Sequence, residues 1–457
     1  MFLRIVHKQL LEYLLSLRFL VGAALCLAVG VGATCVRAYA YRTAVTDYGI
    51  NRREHHAEAA GYVAPFPLTY SGVSVDRPPA LLGVFYRGLE PSRPMSVRVT
   101  GNRDPKTEDQ YERANPILDL FQTVDLVSFT ALVVSLLALV FSYDLISGEK
   151  EAGTLRLTLS FSVPRDTLLL GKWTGGYLAL VLPFLLTALC CFGVVALYPG
   201  TKVSWGDLAA FGLLIGVCLL YIGGLYSLGL LVSTATSRSF TSIIALVAIW
   251  VGVSTGLPNL SPYVAGALIP LPTIQETERK KWAVAGEEGQ IRGQQIRDYQ
   301  QTTKDSEAQR GVVISEIYRE SFAKIARRQE QIQADYDRRL DRQVAAATWL
   351  SRLSPTASLI YTAGEIAGTG VRDWRRFRKT LHEYRVRFLN YAEDKWIERA
   401  KQGGGEISTA DYPRFVYFRP DLRERLGAAV MDVGLLAFWN LLFFVAGYVA
   451  FLRYDVR

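Results

Sequence analysis

Residues 125–172 read "DLVSFTALVVSLLALVFSYDLISGEKEAGTLRLTLSFSVPRDTLLLGK". No charge falls between Asp125 and Asp144. At about 1.5 Å per helical residue, that run reaches across most of a hydrocarbon core about 30 Å thick. The composition then changes abruptly. Gly148 permits a turn, Glu149-Lys150-Glu151-Ala152 supplies a charged half-turn, and Gly153-Thr154 makes a second hinge. "LRLTLS" follows with leucines at alternate positions, Pro164 breaks it, and Arg165-Asp166 precede another apolar run. The pattern reads as a span, a short rod lying along the membrane surface, and a return span.

Five more runs of that length lie outward from this patch. Residues 19–36, 173–201, 208–237 and 239–275 carry no charge, and 426–452 carry one acid, Asp432. With 457 residues, half of them apolar and a fifth charged, the chain is too hydrophobic and too blocked for an ordinary soluble protein. The expected fold is an all-α polytopic membrane protein with six transmembrane helices. Ala38-Tyr39-Ala40 resembles a leader cleavage site, but the apolar run is long for a leader and Arg37 precedes the site, so retention is expected. Cys26, Cys35, Cys190, Cys191 and Cys218 all lie in apolar runs. No disulfide framework or cysteine metal site can be built in the polar segments, and buried thiols acting as small hydrophobes are expected. The net charge of +9 suits anionic headgroups, not nucleic acid.

The organisation follows. Residues 1–18 form an amphipathic interfacial helix, 19–37 the first span and 38–118 a small mixed module whose "YVAPFPLTYSGVSV", "ALLGVFYRGLE" and "SVRVTG" favour strands. The second span is 119–146, the surface loop 147–166, and the third, fourth and fifth spans 167–198, 208–232 and 239–258. Pro258, Pro262, Pro270 and Pro272 should stop the fifth helix. Residues 259–425 form a larger helical domain, and 426–452 the last span. Between 274 and 350 there are 14 Lys and Arg against 13 Asp and Glu, and Tyr318, Phe322, Ile325, Gln329, Ile332 and Tyr336 step by about four and three. That spacing suits a coiled-coil-like, ion-paired hairpin. Gly212 and Gly216, like Gly22, Gly30 and Gly32, suggest close packing of helices, within one bundle or at a subunit interface. Six spans put both termini on one side. Lysines and arginines near span ends lean towards that side being cytoplasmic, with both large segments outside.

The loop "DLISGEKEAGTLRLTLSFSVPRDTLLLGK" resembles the one after the second span in permeases of type-2 ABC exporters, in the branch related to nitrous-oxide-reductase maturation permeases. "NPILDLFQTVDLVSFTALVVSLLALVFSYD" and "LSPTASLIYTAGEIAGTG" fit the same branch. The resemblance implies a coupling helix seated in a cleft of a separate ATPase. Gly148, Glu149, Lys150, Glu151, Gly153, Thr154 and Arg156 would then lie at or beside the ATPase contact, and residues 2–17 would pack nearby. The implied assembly has two ATPase subunits, a second permease copy or a homologous permease, surrounding lipid and an extracytoplasmic partner protein, in a bacterial inner membrane. The chain has no GxxxxGK[ST] cradle and no LSGGQ-like signature, so it carries no cofactor of its own; ATP and Mg would be bound by the partner.

Other chemistry is weak. His55 and His56 are adjacent on a helix, about 100° apart, so they do not share a metal and read as exposed polar positions. Asp432 and Asp125 are the intramembrane acids to consider, with Asp144 at the other end of the second span; anchoring near an interface is the favoured reading. Arg372, Arg375, Arg376, Arg378 and Lys379 would face lipid, an acidic partner or solvent. No catalytic constellation or metal site stands out. The expected function is a non-catalytic exporter permease. The alternatives are a transmitter that relays ATP energy to an outside partner without moving a substrate, and a scaffold with no ATPase.

Overall fold

The computed structural model describes residues 1–100, 124–160, 163–302, 307–402 and 406–454. The expected boundary between the first module and the second span, at 118–119, lies outside them. Helices dominate. Helix α1 is Phe2–Leu14, α2 Leu17–Ala60 and α3 Pro65–Tyr70. Strands β1 (Val73–Asp76) and β2 (Ser96–Val99) pair antiparallel, with Val73 opposite Val99 and Asp76 opposite Ser96. Helix α4 (Leu126–Phe129) passes through a π-helical turn, Thr130–Val134, into α5 (Ser135–Ser142). Two short helices follow, α6 (Ser147–Glu151) and α7 (Thr154–Ser160). Then come α8 (Arg165–Leu197), α9 (Trp205–Ala235) and α10 (Ser239–Trp250). A second π-helical turn, Val251–Gly256, leads into α11 (Leu257–Leu268). The remaining helices are α12 (Ile274–Thr302), α13 (Glu307–Ser351), α14 (Pro355–Ala367), α15 (Val371–Lys401) and α16 (Leu422–Leu452).

Among the described residues, six helical stretches are long and apolar enough to cross a membrane: Leu17–Ala60, Leu126–Glu151, Arg165–Leu197, Trp205–Ala235, Ser239–Leu268 and Leu422–Leu452. The central one is α9. It is apolar all round and buried on most of its circumference, as a core helix should be. Glycines let α16 come close to it: a Cβ on Gly223 would stand 2.9 Å from Asn440 Nδ2, and one on Gly447 3.2 Å from the Leu231 backbone. Gly212 and Gly216 do otherwise. Both are exposed, and a Cβ there would touch nothing, so they are not used for packing within the chain. Cys26, Cys191 and Cys218 are buried thiols, whereas Cys35 and Cys190 lie on the exposed surface of the bundle.

The helix carrying the first span does not stop at the membrane edge but runs unbroken to Ala60. Prolines also fail to stop the fifth. Pro258 sits in the first turn of α11 and Pro262 inside it. Pro258 cannot donate to Ser254, which lies in the π-helical turn just before, so the backbone is rewound at the place where the bond is lost. The helix ends only before Pro270. Helix α14 is almost wholly buried. Ser354 caps it through Thr356 N (3.1 Å), Pro355 opens its first turn, and Gly368 closes it in the left-handed conformation, φ 69°.

At the end of the bundle away from the termini, a second core joins the extension of α2, the β ribbon, α15 and the strand-like lead into α16. "ALLGVFYRGLE" forms tight 3₁₀ turns and no strand, and its Leu82, Val84, Phe85 and Tyr86 pack into the core of the bundle. The basic cluster of α15 is spent on ion pairs: Arg375 with Asp341 (3.0 Å), Arg378 with Asp337 (2.5 Å) and Arg376 with Glu424. Helices α12 and α13 pack as the expected hairpin. Val284 and Ile325 are buried in it together with polar Lys281, Glu288, Ser321 and Gln329, so the seam is more polar than apolar.

Candidate coupling surface

The end that carries both termini is built around α6 and α7. A turn at Asp144–Ile146, not Gly148, brings the chain out of the span; Gly148 lies inside α6, against Asp144 and Ser239. Gly153 is the hinge. Its φ is 72°, a Cβ there would meet nothing, and the backbone alone therefore explains the glycine. "LRLTLS" is helical, so its leucines spread around α7. Leu155 is buried and Leu157 is 62% exposed.

The charged residues of α6 point back to the bundle. Glu149 Oε1 lies 2.6 Å from Lys172 Nζ on α8, and Lys172 also donates to the Leu145 carbonyl at 3.2 Å. Lys150 Nζ donates to the carbonyls of Thr234 (2.5 Å) and Thr236 (3.1 Å), at the end of α9, and stands 4.7 Å over the Tyr454 ring. Glu151 accepts from the Ser239 amide at 3.0 Å, a carboxylate against the positive N-terminus of α10. Ser233 Oγ accepts from the amides of Ile146 and Ser147, both at 3.0 Å. Short α6 is thus tied to three spans at once. The outward face carries Ala152, Gly153, Thr154, Arg156 and Leu157, with Glu151 also exposed beside them.

Helix α1 lies alongside. Gly171, Gly175 and Gly176 on α8 admit it: a Cβ on Gly175 would meet Gln9 Cβ at 2.8 Å and the Val6 carbonyl at 2.9 Å. Tyr13 donates to the Phe141 carbonyl at 2.6 Å and stacks on that ring. Arg18 pairs with Asp144 at 2.8 Å and donates to Tyr143 at 2.9 Å, fixing α2 to the same corner.

The two acids expected within the membrane, Asp125 and Asp432, are elsewhere. Asp125 caps α4. It accepts from Ser128 N at 2.7 Å and from Arg87 N at 2.9 Å. Asp432 on α16 receives both arms of Arg352, at 2.7 and 2.9 Å. Neither meets the residues of the loop. Sequence spacing gave no hint of Arg352 as a partner, nor of Lys172 for Glu149, because both pairings join residues far apart in the chain. His55 and His56 are half-buried, not exposed. His55 Nδ1 lies 2.9 Å from Asp76 and His56 contacts Tyr412. Among the described residues, no group of three or more His, Cys, Asp or Glu side chains could hold a metal.

A family model described as "ABC-2 family transporter protein" matches residues 3–456. The chain is 38% identical over 96 residues to a probable ABC transporter permease protein NosY from Pseudomonas aeruginosa, a stretch covering 21% of this chain and 34% of that protein. It is 40% identical over 72 residues to a protein of the same name from Stutzerimonas stutzeri, covering 16% and 26%. The matched stretches span about a third and a quarter of those relatives.

Proposed function

The chain belongs to the ABC-2 family of transporter proteins, and on that premise we propose that it is the membrane subunit of an exporter driven by a separate ATPase. The carrying observation is the α6–α7 elbow: inward charges tie it to α8, α9 and α10, while Thr154, Arg156 and Leu157 face outward. Two ATPase subunits, each with ATP and Mg, dock on two such elbows in a dimer of permeases. Their closure pushes α6, and the push reaches three spans through Glu149, Lys150 and Glu151. On this reading both termini are cytoplasmic, the membrane is the bacterial inner membrane, and Thr154, Arg156 and Leu157 make the direct contact, with Gly148, Glu149, Lys150, Glu151 and Gly153 shaping or transmitting it.

The test is purification with the ATPase encoded beside this chain, carrying a single cysteine at Thr154 or Leu157. Cross-linking to the ATPase and loss of stimulated ATP hydrolysis in Leu157→Glu are expected. If no complex forms and the Leu157→Glu variant keeps full hydrolysis, the reading fails.

One observation favours mechanical relay as the output. The arm α13, 45 residues and about 67 Å long, ends in the Arg352–Asp432 pair on the last span. Movement of α16 would swing that arm against an extracytoplasmic partner. Substrate accumulation in proteoliposomes without any added partner protein would favour transport instead.

A further inference from the structure

Far from the elbow, the extension of α2 passes the lead into α16. A cavity of about 460 Å³ opens between them, lined by Tyr48, Gly49, Arg52, Arg53, His56 and Arg414. Its volume is that of a small-molecule pocket. A narrower recess of about 110 Å³ shares Tyr48, Arg52 and His56 with it and continues inward between Tyr384, Tyr412 and Phe415. The outer chamber is cationic; the inner one sets those rings beside His55, Ser74 and the Asp76 carboxylate, which His55 and Ser96 engage.

The charges are unbalanced. Among the described residues, no carboxylate lies within ion-pair distance of Arg52, Arg53 or Arg414; Arg53 Nε donates to the Gly49 carbonyl at 3.0 Å, which leaves the rest of its fork open. Asp47 and Glu54 are exposed on the same helix, and three further acids nearby are engaged elsewhere. Asp76 is held by His55 and Ser96, Glu58 by Arg98, and Asp411 by Lys395 and Tyr391. Three guanidinium groups around one cavity repel one another and focus a positive potential into it. Their planar forks match the oxygens of a phosphate or carboxylate.

Position narrows the source. Arg42 is the first charge clear of the apolar run's flank, and Arg52 to His56 lie ten to fourteen residues beyond it on one continuous helix, about 15–21 Å. A headgroup layer is only about 5–8 Å deep, so lipid phosphates do not reach the cavity. We propose that this cavity binds a small soluble oxyanion with an apolar body, the anionic group held by Arg52, Arg53 and Arg414 and the body in the aromatic recess. Nothing in this site depends on the proposed docking of an ATPase.

The test uses the full chain in detergent micelles, with inorganic phosphate and phenyl phosphate as probes in calorimetry. Both should bind, phenyl phosphate more tightly. The Arg52→Ala/Arg414→Ala double variant changes exposed side chains and should fold, and its affinity should fall about tenfold or more. Arg42→Ala, on the same helix outside the cavity, should leave binding unchanged. A Tyr384→Leu variant should remove the preference for phenyl phosphate while leaving inorganic phosphate in place. Equal binding by the double variant, or binding of an acidic peptide with neither small anion bound, would overturn the assignment.

Discussion

Arg352, one residue past the end of α13, grips Asp432 of the last span with two hydrogen bonds of 2.7 and 2.9 Å. Asp432 is 2% exposed. The guanidinium also stands 5.1 Å over Trp349 and 5.8 Å from the Tyr361 ring centre, so two rings add cation–π contacts to the pair. One pair thereby joins the long hairpin, the buried helix α14 and the membrane bundle.

Removing one partner of this pair should be worse than removing both. Arg352→Ala leaves a buried carboxylate unpaired and should cost about 3–5 kcal/mol, whereas Arg352→Met with Asp432→Leu should recover most of that. Thermal unfolding of the purified protein reads the difference. Equal melting of wild type and Arg352→Ala would show that the pair carries no structural weight.

Gly153 should tolerate asparagine better than valine. Its φ of 72° is in the left-handed region and nothing crowds it, so any penalty comes from the backbone alone, about 1–2 kcal/mol for a β-branched residue. Cysteine pairs spanning α6 and α7, read by spin-label distances, should shift in Gly153→Val and stay put in Gly153→Asn. A uniform response to both substitutions would mean that the elbow is not set by that angle.

Helix α1 is admitted by α8 because Gly171, Gly175 and Gly176 lack side chains. Gly175→Ala places a methyl group 2.9 Å from the Val6 carbonyl and should cost about 1–3 kcal/mol, freeing α1 for tryptic cleavage at Arg4 and Lys8. Gly212→Ala meets nothing and should be neutral or slightly stabilising. Unchanged cleavage rates in Gly175→Ala would contradict this packing.

Acid should loosen the module at the other end. Burial alone would raise the Glu90 carboxyl, but Arg77, bonded to it at 3.0 and 2.5 Å, outweighs that and holds it below the ordinary carboxylate range. A depressed folded-state pKa gives stability that is present at neutral pH and is lost as pH falls through the folded value. Protection factors for amide exchange in 73–99, corrected for the intrinsic pH dependence of exchange, should therefore fall below about pH 4.5, the start of the ordinary glutamate range, and Glu90→Gln should flatten that fall. Acid-insensitive protection in the wild type would remove Glu90 from the account.

Much was legible in advance because it depends on runs of residues. Five charge-free stretches and one with a single acid gave six membrane-length helices among the described residues, and the charge-dense break after Asp144 gave the short pair α6–α7. The hairpin of α12 and α13 followed from its period. Other expectations failed where a local cue had a competing tertiary use. Pro258 and Pro262 did not end their helix, because a π-helical turn absorbed the missing bond. "ALLGVFYRGLE" lost its strand preference to packing against the bundle. The α15 arginines looked available and are paired to α13 and α16.

By itself, the sequence determined that this chain lies in a membrane and which of its runs form helices long and apolar enough to cross one. Each of those follows from hydrophobicity and backbone chemistry over a few neighbouring positions. Only the tertiary structure decided which way the charges face. Glu149, Lys150 and Glu151 look like a display to solvent when read along the chain, yet they meet Lys172, Thr234 and Ser239. A charge beside a bundle settles against whichever opposite charge or free backbone group the fold brings within about 3 Å, and chain separation carries no record of that distance.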